Sequence, residues 1–284
     1  MSLIKFNKFS FRYKGNEDYA LNDIDLKVNP NKFILLAGET GSGKTSLIRC
    51  MNGLIPQFYA GYYKGSVEIS GRNTVSTPIA DLSTLVGIVF QNPENQLIAM
   101  NVEHEIAFGM ENLGIPRDII EKSIKEVVRL TEIEHLIDKA PFELSGGEQQ
   151  RVAIASILVL NPKIIILDEP TASLDPFFAY KIMLLLKKIQ KEKNVTVIIS
   201  EHRMDLVLPV VDEIIIIDKG RIITHDSKEN VIQSENFQKL NINKPIIYSI
   251  FTQLNNPKLF ENKIPISIEE VIIALKNVNL TQRR

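Results

Sequence analysis

Apolar positions along this chain follow two periods. Over residues 3–11 they alternate with polar ones, the period-two pattern of a strand covered on one face. Residues 19–28, with Ala20, Leu21, Ile24, Leu26 and Val28, predict a turn and a second strand, and 65–70 predict a third. These three make a small antiparallel sheet. Residues 32–37 read as a short buried strand. From residue 85 the pattern changes: apolar runs at 85–90, 164–167, 195–200 and 213–218 alternate with helical stretches. That alternation predicts an α/β fold with a largely parallel sheet. Residues 102–138 are helical in period and charged, without strand signals, and read as a helical insert. No internal repeat and no low-complexity tract interrupts the chain.

Candidate chemistry sits directly on this framework. Gly38-Glu39-Thr40-Gly41-Ser42-Gly43-Lys44-Thr45 matches the phosphate-binding pattern G-x-x-x-x-G-K-[ST] in full. A strand precedes it, and residues 46–54 follow as a helix with Leu47, Ile48 and Met51 on one face. Glycines at 38, 41 and 43 let backbone N–H groups turn inward around an anion, and the helix adds its positive N-terminal end. Lys44 then reaches the β- and γ-phosphates, and the Thr45 hydroxyl is placed to ligate Mg²⁺. The chain is expected to bind a nucleotide.

The run Ile164-Ile165-Ile166-Leu167-Asp168-Glu169 ends an apolar strand in two carboxylates. Alone it is equally an ordinary acidic strand end. After a full P-loop, it predicts Asp168 near Mg²⁺ and Glu169 beside an attacking water. Leu144-Ser145-Gly146-Gly147-Glu148 opens another helix and offers a second anion site at its N-terminus. One nucleotide does not need two such sites, so each chain is read as lending this element to a twin. An ordinary capped helix start with a glycine turn would look the same.

Composition narrows the setting. Of 284 residues, 44% are apolar and 24% charged, ordinary for a soluble globular chain. Lys and Arg (33) nearly balance Asp and Glu (34), so no global charge draws the chain to nucleic acid or to an anionic membrane. Cys50 is the single cysteine, which excludes an internal disulfide and fits a reducing compartment. It reads as a small buried hydrophobe. Residues 1–10 lack a signal-peptide pattern, and no apolar run approaches the length that spans a bilayer. His104, His135 and His225 are scattered without metal-cage spacing and read as structural or surface residues.

With these residues in place, the chain over about 1–235 resembles the nucleotide-binding subunits of ABC transporters. By that resemblance Gly38 to Thr45 is the Walker A, Leu144 to Glu148 the signature and Ile164 to Glu169 the Walker B. Gln91 corresponds to the Q-loop glutamine, Ser173-Leu174-Asp175 to the D-loop and His202 to the switch histidine. Glu148 stands where the family's signature usually ends in Gln, and Glu201 where Thr commonly precedes the His. The stretches Gln91-Asn92-Pro93-Glu94-Asn95-Gln96 and Val102-Glu103-His104-Glu105-Ile106-Ala107-Phe108-Gly109-Met110-Glu111-Asn112-Leu113-Gly114 are similar to ATPases of energy-coupling-factor (ECF) importers for vitamins and transition-metal ions. Phe11-Arg12-Tyr13 agrees, whereas His104 and Met110 replace an acidic residue and a Pro.

The resemblance implies a P-loop ABC-ATPase fold with an antiparallel β-subdomain, an α-helical subdomain at about 92–160 and a helical C-terminal extension at 236–284. It implies ATP and Mg²⁺ as ligands, with Thr45, Gln91 and Asp168 toward the metal, Glu169 as general base, and His202 and Gln91 at the γ-phosphate. Tyr13 would stack on adenine, the alternative being a Tyr that packs at the end of an edge strand, and Ser46 would join the phosphate cradle. Ser145, Gly146, Gly147 and Asp175 would act on the nucleotide of a second ATPase subunit, either this chain or a close relative. Further implied partners are a transmembrane coupling subunit and a separate solute-binding membrane protein, on the cytoplasmic face of the membrane, with no nucleic acid. A soluble ABC ATPase on DNA or ribosomes is the rival reading; the long coiled coil, second cassette and basic surface of such proteins are not seen. A P-loop kinase would leave the signature and switch elements unexplained.

Two surfaces are expected to meet partners. Leu97, Ile98 and Met100 follow the Q-loop and either floor a groove for a helix of the membrane subunit or bury against the insert. In the tail, Pro245 followed by Ile246, Ile247, Ile250, Phe251 and Leu254 predicts a short helix ending at Asn255-Asn256-Pro257. A capping box at Ser267 and Glu270 then introduces Ile268, Val271, Ile272 and Leu275 at helical spacing. Some forty residues cannot form an independent core, so this extension packs on the body or, preferably, serves as a dimerisation element on the twin.

Overall fold

A computed structural model describes residues 2–254 together with residues 265, 268 and 270–272. Expectations that fall on 255–264, 266–267, 269 and 273–284 lie outside the described residues. Two sheets form the framework. Strands β1 (Ile4–Tyr13), β2 (Leu21–Val28), β4 (Gly61–Ile69) and β5 (Arg72–Asn73) make an antiparallel sheet in the order β2-β1-β4-β5. The second sheet contains β3 (Phe33–Ala37), β6 (Val86–Val89), β7 (Ile164–Asp168), β8 (Thr196–Ser200), β9 (Glu213–Asp218) and β10 (Arg221–Ser227). Its order is β10-β9-β3-β8-β7-β6, parallel except for β10, which returns antiparallel to β9.

The parallel strands of the large sheet are buried on both faces, as their continuous β-branched runs dictate. Alternate residues of one strand therefore enter two different cores. Ile214 and Ile216 join Phe33, Leu35 and Leu167 on one face, in a core continuous with the helices Val102–Asn112, Arg117–Thr131, Gly146–Leu158 and Pro176–Lys193. Ile215 and Ile217 join Ile34, Leu36 and Ile166 on the other face. There the helix Lys44–Met51 and the antiparallel sheet supply Leu47, Ile48, Phe6 and Phe9.

Strict alternation cannot bury Phe6, Phe9 and Phe11 together, because the first two are three residues apart. The register of β1 shifts against both neighbours in this region, and Lys8 has φ 45°. This bulge inserts the extra residue that returns Phe9 to the core side. A simple alternating strand, as expected from the sequence, misses that correction.

The helix Ile246–Leu254 sets Tyr248 against Phe237, edge to face at 5.2 Å between ring centroids, and both rings are buried in the main core. The Ile246 N–H donates to Asp205 Oδ1 at 3.0 Å. This first part of the extension therefore packs on the chain's own body, whereas the sequence favoured a twin. Ile246 and Ile250 remain exposed.

Candidate active site

The P-loop joins β3 to the helix Lys44–Met51. A Cβ at position 38 would lie 2.2 Å from the Ile217 carbonyl oxygen, and Gly43 has φ 109°, so both positions require glycine. The Ser42 carbonyl accepts the Gly220 N–H at 2.8 Å, and the Gly220 carbonyl accepts the Asn22 N–H at 2.7 Å. The loop is thus held by the β9–β10 turn, and through it by β2. The helix has no side-chain cap and no acidic residue in its first turn, so its N-terminal field is available to an anion.

Lys44 is buried, with Nζ donating to the carbonyls of Gly38 (2.8 Å) and Glu39 (2.9 Å). Burial lowers its pKa, while Glu169 and Asp168 act to raise it. Thr45 Oγ1 donates to Asp168 Oδ2 at 3.1 Å. This hydroxyl–carboxylate pair is the hard-oxygen donor set that suits Mg²⁺ completed by phosphates and water.

Glu169 follows β7 with φ 50°, a left-handed conformation rare for a non-glycine residue. Its N–H bonds the Ser200 carbonyl at 2.9 Å, which fixes where the side chain leaves the sheet. Gln91 Nε2 donates to Glu169 Oε2 at 3.0 Å, and His202 Nε2 lies 3.0 Å from Oε1. Gln91, Asp168, Glu169 and His202 come from the ends of β6, β7 and β8, at the carboxyl edge of the sheet. That is where an open α/β sheet places its ligands.

Two residues that the sequence reading did not select complete this edge. Glu201 is buried; Oε1 accepts the N–H groups of His202 (2.9 Å) and Arg203 (3.1 Å), and Oε2 accepts the Thr171 hydroxyl. Arg203 donates to the carbonyls of Thr171 and Leu174. The segment Glu201-His202-Arg203 is thereby stapled to the turn leading into Ser173–Asp175. Their signal was the pair of charges flanking His202. Glu105, also buried, accepts the N–H groups of Ile98 and Ala99, both at 2.8 Å. It pins the segment after Gln91 to the helix Val102–Asn112.

The remaining expected residues are placed as follows. Tyr13 is half-buried: its hydroxyl lies 3.0 Å from Ser46 Oγ and accepts from Arg49 Nη1 at 3.2 Å, and its ring packs edge-on against Phe11 and Tyr59. Thr40 and Gly41 are exposed at the mouth of the loop, and Ser42 is buried. Asp175 caps the helix Pro176–Lys193 by accepting from Phe177 and Phe178. Among the described residues, no hydrogen bond joins Ser145, Gly146 or Gly147 to the P-loop.

Ser145 caps the helix Gly146–Leu158 in a reciprocal box with Glu148. Glu148 Oε2 accepts both the Ser145 N–H (2.8 Å) and its hydroxyl (2.7 Å), and Oε1 lies 3.9 Å from His135 Nε2. The side-chain and backbone bonds from Ser145, then the charges of Lys139 and His135, hold this carboxyl below the usual range.

Comparison with known proteins agrees with this geometry. A family model described as ABC transporter matches residues 21–172. A protein of Pyrococcus horikoshii described as an ABC transporter ATP-binding protein is 39% identical over 277 residues, 97% of each chain. The structure of cbiO1 from Clostridium perfringens, part of the ABC transporter complex cbiONQ, is similar at TM-score 0.75 and 32% identity, covering 91% of this chain and 97% of that one. A dimeric post-hydrolysis state of the ATP-binding cassette MJ0796, bound to ADP and Pi, is similar at TM-score 0.68 and 28% identity, covering 79% and 98%.

Proposed function

This chain belongs to the ABC transporter family as an ATP-binding, ATP-hydrolysing subunit, and on that premise we propose that it energises import of a vitamin or transition-metal ion. It uses ATP with Mg²⁺. In the proposed assembly two such ATPase chains, identical or closely related, stand head to tail on the cytoplasmic face of the membrane, where a transmembrane subunit and a solute-binding membrane protein complete the importer. Among the described residues, no helix is long and apolar enough to cross a membrane. The membrane path is assigned to those other chains.

The observation that carries the reading is the Glu169 carboxylate held between Gln91 and His202. The P-loop amides and Lys44 hold the phosphates. Bound Mg²⁺ would supply a positive charge against the phosphate oxygens, held by Thr45, Asp168 and the side-chain oxygen of Gln91. Glu169 takes the proton of the attacking water, and its two hydrogen bonds fix the direction of that transfer. His202 is positioned toward the γ-phosphate. Among the described residues, Ser145, Gly146 and Gly147 make no hydrogen bond to the P-loop, which supports their assignment, together with Asp175, to the nucleotide of the other chain. Hydrolysis removes the phosphate shared across the pair, and the pair loosens.

Import is supported by the residues after Gln91 that resemble ECF ATPases and by the similarity to cbiO1. Ile98 and Met100 are exposed on the segment leading from Gln91 to the helical insert, whereas Leu97 is buried. We assign Ile98 and Met100 to the contact with the transmembrane subunit. The domain division follows: 1–235 as the ATPase, with about 92–160 as its helical subdomain, and 236–284 as an extension. The test is purification of the tagged chain from native membranes, identification of the co-purifying chains and assay of their ATPase in vesicles. A co-purifying membrane subunit that stimulates ATPase supports import. Stimulation by DNA or ribosomes instead would replace it with the soluble reading.

A further inference from the structure

The signature helix start is not vacant in this chain. Ser145 has one hydroxyl proton and one N–H, and both are directed at Glu148 Oε2, at 2.7 and 2.8 Å. These are the donors that the in-trans reading assigns to the partner chain's γ-phosphate. A single proton serves one acceptor at a time, and a carboxylate beside a phosphate adds like-charge repulsion.

We propose that Glu148 is a resident competitor for the γ-phosphate, a carboxylate that must leave Ser145 before the opposed nucleotide is gripped and that returns once the γ-phosphate is gone. This rests on the head-to-tail reading above and deepens it. ATP brings a phosphate able to displace the carboxylate. ADP, one phosphate shorter, brings none, so Glu148 sharpens the discrimination between the two at closure.

The surroundings permit the exchange. Glu148 is on the solvent side of its helix, with its side chain 29% exposed, so it swings without repacking a core. Its second oxygen already faces the His135 imidazole at 3.9 Å, which offers an alternative partner outside the signature. The helix cap does not depend on a charged residue, because a Gln side-chain oxygen accepts the same two bonds. The negative charge is therefore an addition to the cap rather than a requirement of it.

Glu148→Gln isolates that charge. In the full chain carrying Glu169→Gln to prevent turnover, alone and together with any ATPase chain that co-purifies with it, with Mg²⁺ present, ATP is titrated and association is followed by light scattering. Adding Glu148→Gln should lower the ATP concentration for half-maximal association by about fivefold or more, the scale of one exposed charge–charge contact strengthened by desolvation. An unchanged or higher concentration overturns the proposal. If Glu148→Gln fails to fold, Glu148→Ala makes the same comparison with the same expected direction, because it also removes the charge. Ser145→Arg separates the two ideas. If it still associates with ATP, the in-trans reading fails and this inference with it. If it does not, while Glu148→Gln leaves the threshold unmoved, only the inference fails. Absence of any ATP-driven association in Glu169→Gln would overturn both.

Discussion

His202 Nε2 stands 3.0 Å from Glu169 Oε1, although the two residues leave the sheet from different strands. The imidazole therefore fixes one oxygen of the carboxylate assigned to take the water's proton. Glu169→Gln should lower kcat by about 10²–10⁴-fold, the usual contribution of a general base. ATP binding should survive, because the cradle does not use that carboxylate. His202→Ala should also lower kcat while leaving nucleotide affinity largely unchanged. Phosphate-release kinetics and a fluorescent-nucleotide titration separate the two effects, and chelation of Mg²⁺ should abolish turnover in every variant.

Lys44→Ala should act on binding itself. The ammonium sits on two P-loop carbonyls and is assigned to the phosphates, and a hydrogen bond to a charged group contributes about 1.5–3 kcal/mol. Calorimetry should show ATP affinity reduced by at least about tenfold on that scale. Unchanged affinity would remove Lys44 from the phosphate site.

The segment after Gln91 gives a test of coupling. Ile98 and Met100 are 70% and 89% exposed, so changing both to Asp should leave the fold intact. Basal ATPase of the isolated pair should persist while binding to the membrane subunit is lost. Glu105→Ala should weaken the same coupling by freeing the Ile98 and Ala99 amides. Leu97 is a poor choice for such a change, since it is buried and its loss would be read as instability.

Tyr248→Ala should destabilise the body by about 3–5 kcal/mol, the usual cost of truncating a buried aromatic ring. Chemical denaturation would measure it as a lower midpoint with unchanged slope. Truncation after Ile242 removes the same ring and should cost a similar amount. A truncated chain as stable as the full one would show that the ring contact carries no weight.

Cys50 is fully buried, and burial pushes its thiol well above the ordinary value. A thiol reagent should modify it only on unfolding. Rapid labelling of the native chain would contradict the packing of the helix Lys44–Met51.

The parallel strands and the P-loop were legible because each is continuous in sequence. Residues 213–218 read as a strand and form one, and the P-loop lies between a strand and a helix as its pattern requires. Glu169 was legible from the acidic strand end that follows a P-loop, and Gln91 and His202 through family resemblance, but their meeting at a single carboxylate is a property of strand order. What escaped depends on distant partners. Glu201, Arg203 and Glu105 look like solvated charges until the backbone groups they satisfy are in view. The bulge at Lys8 and the edge strand β10 escaped because neither has a pattern of its own: one is a shift of register, the other a half-exposed ribbon. In the tail, local periodicity marked an apolar face without showing which surface covers it.

The hold of Gly220 on Ser42, and of Asn22 on Gly220, has a mechanical consequence. The floor of the P-loop is tied to both sheets, so the antiparallel sheet and the P-loop are expected to move together. An arriving nucleotide meets a finished surface, and little chain entropy is lost in forming it. Compliance must then reside on the opposite flank, where the carboxyl end of β6 leads through Gln91 into the helices. In the proposed cycle, that arm is expected to take up the stroke against a frame that stays still.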